Sequence, residues 1–94
     1  MKAYVIATET VHDEATFAKY RAEVPRTVEP FGGRFVVRGG DISVLEGEWQ
    51  PRTVILEFPS RERAEAWYKS DAYQKIIDLR LNSARGSLVI IDGV

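Results

Sequence analysis

Two hydrophobic periods alternate along this chain, and their order constrains its fold more than any other feature. Ala3-Tyr4-Val5-Ile6-Ala7-Thr8 is rich in β-branched and aromatic residues and predicts a first strand. Asp13 then suits a helix N-cap. Phe17, Tyr20 and Val24 follow at helical spacing, and Ala15, Ala18 and Ala22 add propensity. Pro25 is expected to kink or end that helix, since it removes a donor and crowds the preceding turn. Thr27 to Glu29 add one further turn before Pro30, and Gly32-Gly33 closes the unit. Arg34 to Arg38 alternates as a second strand and Gly39-Gly40-Asp41 breaks it. Ile42 to Glu46 predicts a short extended arm that Gly47 turns back. Arg52 to Phe58 is a third strand, stopped by Pro59. Ser60 caps a second helix, with Glu62 in its first turn and Ala64, Trp67 and Tyr68 on its inner stripe. Ser70-Asp71 is a fresh cap, so a break falls near Ser70. Tyr73, Ile76, Ile77, Arg80 and Leu81 then share one helical face. Gly86 is expected to end this helix. Ser87 to Asp92 is the last strand, and the run Leu88-Val89-Ile90-Ile91 asks for cover on both faces.

Strand, helix, strand, strand, helix, strand is the split βαβ order of the ferredoxin-like α+β fold: a four-stranded antiparallel sheet with helices on one face. The 94 residues are enough for one such domain, spanning residues 1–94, and too few for two. A chain this short buries only ~60–65% of the surface its unfolded form exposes, which leaves a thin core. The uncovered sheet face is half apolar: if Ala3, Val5 and Ala7 point one way, Tyr4 and Ile6 point the other. A second copy packed face to face across a two-fold axis is the economical cover, so a homodimer through the sheet face is expected. In a hairpin of the second and third strands, Arg34 falls opposite Glu57 and Arg38 near Thr53 on one face. Phe35, Val37, Val54, Leu56 and Phe58 share the other.

Charge and composition exclude several functions. Charged residues are 29% of the chain but nearly balanced, with a net charge of -1, which argues against nucleic acid and against a polybasic membrane surface. An RNA-recognition module shares the element order, but its central strands present stacking aromatics where this chain has Val54, Ile55 and Leu56. There is no cysteine, hence no thiolate metal site and no Cys nucleophile. No apolar run reaches the ~18 residues of a membrane span, and Met1-Lys2-Ala3-Tyr4 runs straight into a strand rather than a leader. A cytoplasmic location is expected.

Arg38-Gly39-Gly40, Leu45-Glu46-Gly47, Arg52, Ile55-Leu56-Glu57-Phe58-Pro59-Ser60, Ala66-Trp67-Tyr68-Lys69-Ser70, Tyr73-Gln74 and Arg80 stand in a specific order and spacing. Together they resemble the domain of unknown function 1330 family, over nearly the whole chain from Tyr4 to Gly93. The resemblance implies a dimeric α/β barrel, in which two ferredoxin-like sheets face each other. It implies no particular reaction. The wider superfamily includes cofactor-free monooxygenases, lactone isomerases, haem-handling enzymes and plain binding domains, and fold analogy does not choose among them.

The expected function is a homodimeric small-molecule-binding domain, or a cofactor-free enzyme acting on a small organic acid or similar metabolite. The alternative is a non-catalytic dimeric binding or assembly module. Candidate catalytic groups are His12, Arg80 and Glu57. His12 is the sole histidine, at a strand-to-helix junction, and is either a near-neutral general base or a loop residue beside a cap. With no second imidazole it makes no metal or haem site. Arg80 stands within an apolar helical face and needs a carboxylate partner: Glu57, Asp78 or a substrate acid. Glu57 with Arg38 is either an interface pair or a pocket base whose pKa a dry site raises. Tyr4, His12, Tyr20, Arg38, Trp67, Tyr68, Tyr73 and Arg80 are the candidate ligand-binding residues. The aromatic rings among them suit a pocket wall or, equally, core packing. Trp49 suits a dimer contact or a loop anchor. Neither Gly32-Gly33 nor Gly39-Gly40 has the setting of a phosphate loop, and no Gly-x-Ser-x-Gly elbow is present.

Overall fold

A computed structural model describes residues 1–94. Strands β1 (Ala3–Val11), β2 (Arg34–Arg38), β3 (Arg52–Phe58) and β4 (Ala84–Asp92) form one antiparallel sheet in the order β2-β3-β1-β4. Helix α1 (Glu14–Val28) and a 3-10 turn (Glu29–Phe31) link β1 to β2. Helices α2 (Arg61–Lys69), α3 (Asp71–Gln74) and α4 (Ile77–Leu81) link β3 to β4. This is the βαββαβ order that the alternating periods predict.

The helix starts are set by side chains that satisfy orphan N–H groups. Asp13 accepts from the Thr16 amide (3.2 Å) and hydroxyl (2.7 Å), Ser60 from the Arg63 amide (3.2 Å), and Ser70 from the Tyr73 amide (3.2 Å). Ser70 also closes α2 by donating to the Trp67 carbonyl at 2.7 Å. The core lies between the helices and one face of the sheet. Ala3 and Val5 from β1 and Leu56 and Phe58 from β3 meet Phe17, Val24 and Val28 of α1 and Ala64 and Trp67 of α2. The indole of Trp67 is fully buried and donates to Thr27 Oγ1 at 3.0 Å, and that hydroxyl donates to the Val24 carbonyl at 2.7 Å.

Four expectations are corrected. Helix α1 runs through Pro25 to Val28; the Pro25 carbonyl accepts the Glu29 N–H, and buried Thr27 and Val28 hold the last turn against the core. The helix after Ser70 is broken again at Lys75 and Ile76, so the second helical segment has three pieces. Gly86 does not end a helix. It lies inside β4 opposite Glu9, where a Cβ would sit 1.9 Å from the Thr8 carbonyl oxygen, so only glycine lets the two strands come this close. Finally, β2 carries a β-bulge at Val36: Phe35 pairs with Leu56, but Val37 pairs with Ile55 and Arg38 with Val54. The extra residue reverses the alternation beyond it. Arg38 therefore joins the helix-facing side, and Val37 the bare side.

The bare side has an apolar middle and a charged edge. Val37, Val89 and Ile91 are 37%, 49% and 52% exposed. Residues 40–51 form the irregular arm between β2 and β3, on which Val44, Leu45 and Trp49 are exposed. The arm is tied to the sheet by the Trp49 indole, which donates to Thr53 Oγ1 at 2.7 Å, and by Thr10 bonded to Gln50.

Candidate functional site

The alternation of β1 continues two residues past the apolar run, and this creates the site. Glu9 falls on the face of Ala3, Val5 and Ala7, directly under α1, and is only 3% exposed. It borders a cavity walled by Phe17, Tyr20 and Arg21 of α1, by Arg52 and Val54 of β3, and by Arg38 beyond the bulge. The free volume is about 40 Å³. At roughly 10–15 Å³ per water centre this holds a few waters or a very small molecule. A larger occupant must displace the guanidinium ends of Arg21 and Arg38, which are exposed.

The polar groups here are under-partnered. Arg52 Nε lies 3.8 Å from Glu9 Oε2, an ion-pair distance too long for a hydrogen bond, and neither atom has a hydrogen-bond partner. Burial raises the Glu9 carboxyl pKa above its ordinary value of 4.5, against the opposing pull of the Arg52 and Arg80 charges. Behind the cavity a polar chain runs through the core: Arg80 Nε donates to Tyr73 Oη at 3.3 Å, and the Tyr73 and Tyr20 hydroxyls share a bond of 2.8 Å. Burial pushes the Tyr20 hydroxyl pKa far above the phenol range, so Tyr20 stays neutral. Arg80, 9% exposed, has no carboxylate within ion-pair distance. Neither Glu57 nor Asp78 supplies the partner that its apolar setting calls for, and the carboxylate acting on it is Glu9.

Three cations at the mouth are stacked on rings. The Arg21 and Arg52 guanidinium carbons lie 5.5 and 5.3 Å from the centroid of Phe17, and that of Arg38 lies 4.3 Å from Phe35. Stacking holds a guanidinium plane in place while leaving its edge donors free. The mouth is thus set with cations that have donors to offer, around a buried carboxylate.

The expected site residues are distributed as follows. Tyr20, Arg38 and Trp67 line the cavity, and Tyr73 and Arg80 belong to the polar chain behind it. Tyr68 is half-buried against Tyr73, with centroids 5.6 Å apart, and is not on the wall. His12 is exposed in the turn after β1, where its amide donates to the Ser83 carbonyl at 2.8 Å, and it does not border the cavity. Tyr4 and Glu57 lie on the opposite side of the sheet. Glu57 accepts from Arg34 Nε at 2.8 Å and from Tyr4 Oη at 3.2 Å, with Lys2 Nζ at 3.4 Å; the Arg34 bond leads in holding its pKa below the ordinary value. No group of His, Asp or Glu is placed to hold a metal ion. Glu9 is a residue that the sequence alone did not bring forward, and Arg52 stood there only among the residues of the family resemblance, with no site role. Period-two counting from Ala3 through Ala7 to Glu9 was the available signal.

The model of the domain of unknown function DUF1330 matches residues 2–94. The chain belongs to the DUF1330 family. Among solved structures, RPA0582 of Rhodopseudomonas palustris, a protein of unknown function, superposes with a TM-score of 0.80 at 17% identity, over 99% of this chain and 82% of that one. Rv0793 of Mycobacterium tuberculosis gives 0.58 at 14% identity, over 100% and 96%. A protein named as an antibiotic biosynthesis monooxygenase gives 0.54 at 16% identity, over 98% of each chain. At these identities the DUF1330 chain shares their ferredoxin-like fold. No curated protein matches it.

Proposed function

We propose that this DUF1330 chain is the subunit of a homodimeric small-molecule-binding domain that takes a small organic acid into the cavity under α1. One observation carries the reading: Glu9 Oε2 and Arg52 Nε are buried at the cavity with no hydrogen-bond partner. A buried polar atom without a partner costs about 1–3 kcal/mol, so a fold that keeps the Arg52 Nε donor beside free space gains from an occupant that accepts from it. Arg38 and Arg21 at the mouth and Arg80 behind make the surroundings cationic, which selects an anion. The small volume selects a compound of few atoms.

The homodimer rests on the bare sheet face. Val37, Val89 and Ile91 lie there with Ile6 and Ile55, and burying them against a second copy stabilises by about 25 cal/mol per Å² of apolar area. No helix is long and apolar enough to cross a membrane, and we place the domain in the cytoplasm.

The test is a thermal-shift screen of small mono- and dicarboxylates against the purified chain. An acid present at about 100 times its dissociation constant adds about 2.7 kcal/mol of stability. That gain should vanish in Arg52→Gln and shrink in Arg38→Gln. A flat response to every acid ends the ligand reading. A second reading is favoured by the exposed Val44, Leu45 and Trp49 on the arm: the dimer is itself the functional unit, an assembly module. It predicts that a charge at Val89 abolishes function while Arg52→Gln leaves it intact.

A further inference from the structure

The cavity holds a carboxylate as well as cations, and an anion-binding site has no use for a buried negative group beside its ligand. Like charge at that point weakens binding of an acid, and burial of Glu9 already costs free energy. Yet the carboxyl is kept at the cavity, next to a guanidinium that it does not hydrogen bond. Gly86 sits directly across from it on β4, so no side chain from that strand crowds it. It is also unlike Glu57 on the other sheet face, whose two oxygens are both occupied.

We propose that Glu9 is the general base of the cavity, moving a proton to and from the carbon beside the carbonyl group of a small oxo acid. The inference rests on the cavity being the ligand site. In the forward step Glu9 Oε2 takes the proton from that carbon. The C–H electron pair becomes a carbon–carbon double bond, and the carbonyl π pair moves onto its oxygen. The enolate charge that develops faces the guanidinium of Arg52 and is balanced by it. On Glu9 the acidic proton trades with one from solvent water, and in the return step the carboxyl delivers a proton to the same carbon, or to a second carbon conjugated with it. The first outcome exchanges hydrogen with solvent and the second isomerises the acid. No electron is gained or lost and no co-reactant enters. The ligand's own carboxylate meets Arg38 or Arg21 at the mouth, leaving its inner end toward Glu9. A base works best when its pKa approaches the working pH, and burial moves this carboxyl in that direction.

The probe is 2-oxobutanoate in deuterium oxide with the full chain, read by the loss of the C3 proton signal in NMR and, in parallel, by thermal shift. Exchange should run about 100-fold faster than without protein, the scale of one positioned general base. In Glu9→Gln it should fall to the protein-free rate while the thermal shift on adding 2-oxobutanoate persists or grows. Glu9→Asp keeps the carboxylate and should retain a measurable part of the rate, which guards against a loss of fold; circular dichroism checks both variants. Exchange unchanged in Glu9→Gln overturns the assignment. A thermal shift without exchange overturns it too, and leaves the ligand reading standing. No shift and no exchange with any oxo acid of this size removes both.

Discussion

Glu9 and Glu57 lie on neighbouring central strands of one sheet, yet the sheet's two faces treat them in opposite ways. Glu57, on the bare face, is met by Arg34, Tyr4 and Lys2, and its pKa is held down. Glu9, on the face the helices cover, meets only a distant Arg52, and burial pushes its pKa up. A glutamate that the fold merely tolerates is saturated with donors. One that is buried with an oxygen unpartnered marks a place where structure alone does not account for the residue.

The largest effect is expected at Gly86. Gly86→Ala drives a Cβ into the Thr8 carbonyl, opposite Glu9. It should cost about 2–4 kcal/mol in a denaturant titration, and an effect below about 0.5 kcal/mol would show that β1 and β4 are not pressed together as described. Next is Tyr73→Phe, which leaves the buried Arg80 Nε and the Tyr20 hydroxyl short of a partner. A loss of about 1–3 kcal/mol is expected. Tyr4→Phe on the bare face removes one bond to a carboxylate that has others, so its loss should be smaller in the same assay.

The two carboxylates should also leave opposite marks on the pH dependence of stability. Glu57 binds its proton less tightly in the folded chain. Its contribution is complete above about 4.5, the ordinary value, and is lost as pH falls through the lowered folded value. Glu57→Gln should flatten the acid limb of the stability curve. Glu9 binds its proton more tightly when folded, so wild-type stability declines as pH rises from 4.5 through the raised folded value and is level above it. Glu9→Gln should therefore be more stable than wild type at pH 7–8 and lose that advantage near pH 4. Matching pH profiles for the two variants would erase the distinction between the faces. The smallest effect concerns His12, which is exposed and away from the cavity. His12→Ala should change stability by less than about 0.5 kcal/mol and leave acid binding unaltered in the thermal-shift screen.

The fold was legible because its signals are local. Asp13, Ser60 and Ser70 mark helix starts through bonds to residues three positions on, and the periods of β1 and α1 report which side faces the core. The site was less legible because its geometry is set by partners far along the chain. Glu9 is buried by α1 above it and by the space Gly86 leaves beside it, and a glutamate after an apolar run otherwise looks like the end of a strand. Arg80 showed its oddity in sequence, as a charge on an apolar stripe. Its surroundings, Tyr73 and Glu9 rather than Glu57, depend on which sheet face α4 packs against. Pro25 misled because helix breaking is a local preference that the buried side chains of the following turn override.

The extra residue at Val36 reaches beyond β2 itself. A relative lacking one amino acid at this point would form an unbroken ladder, and its arginine would still arrive on the cavity wall, because the shorter strand supplies by simple alternation what this chain obtains by its irregularity. Loss of this residue is therefore silent for the cavity's charge, whereas an insertion or deletion between Arg38 and Arg52 would lengthen or shorten the outer arm. Comparing members by their spacing from Arg34 to Arg38 alone would mistake a shared placement for a changed one.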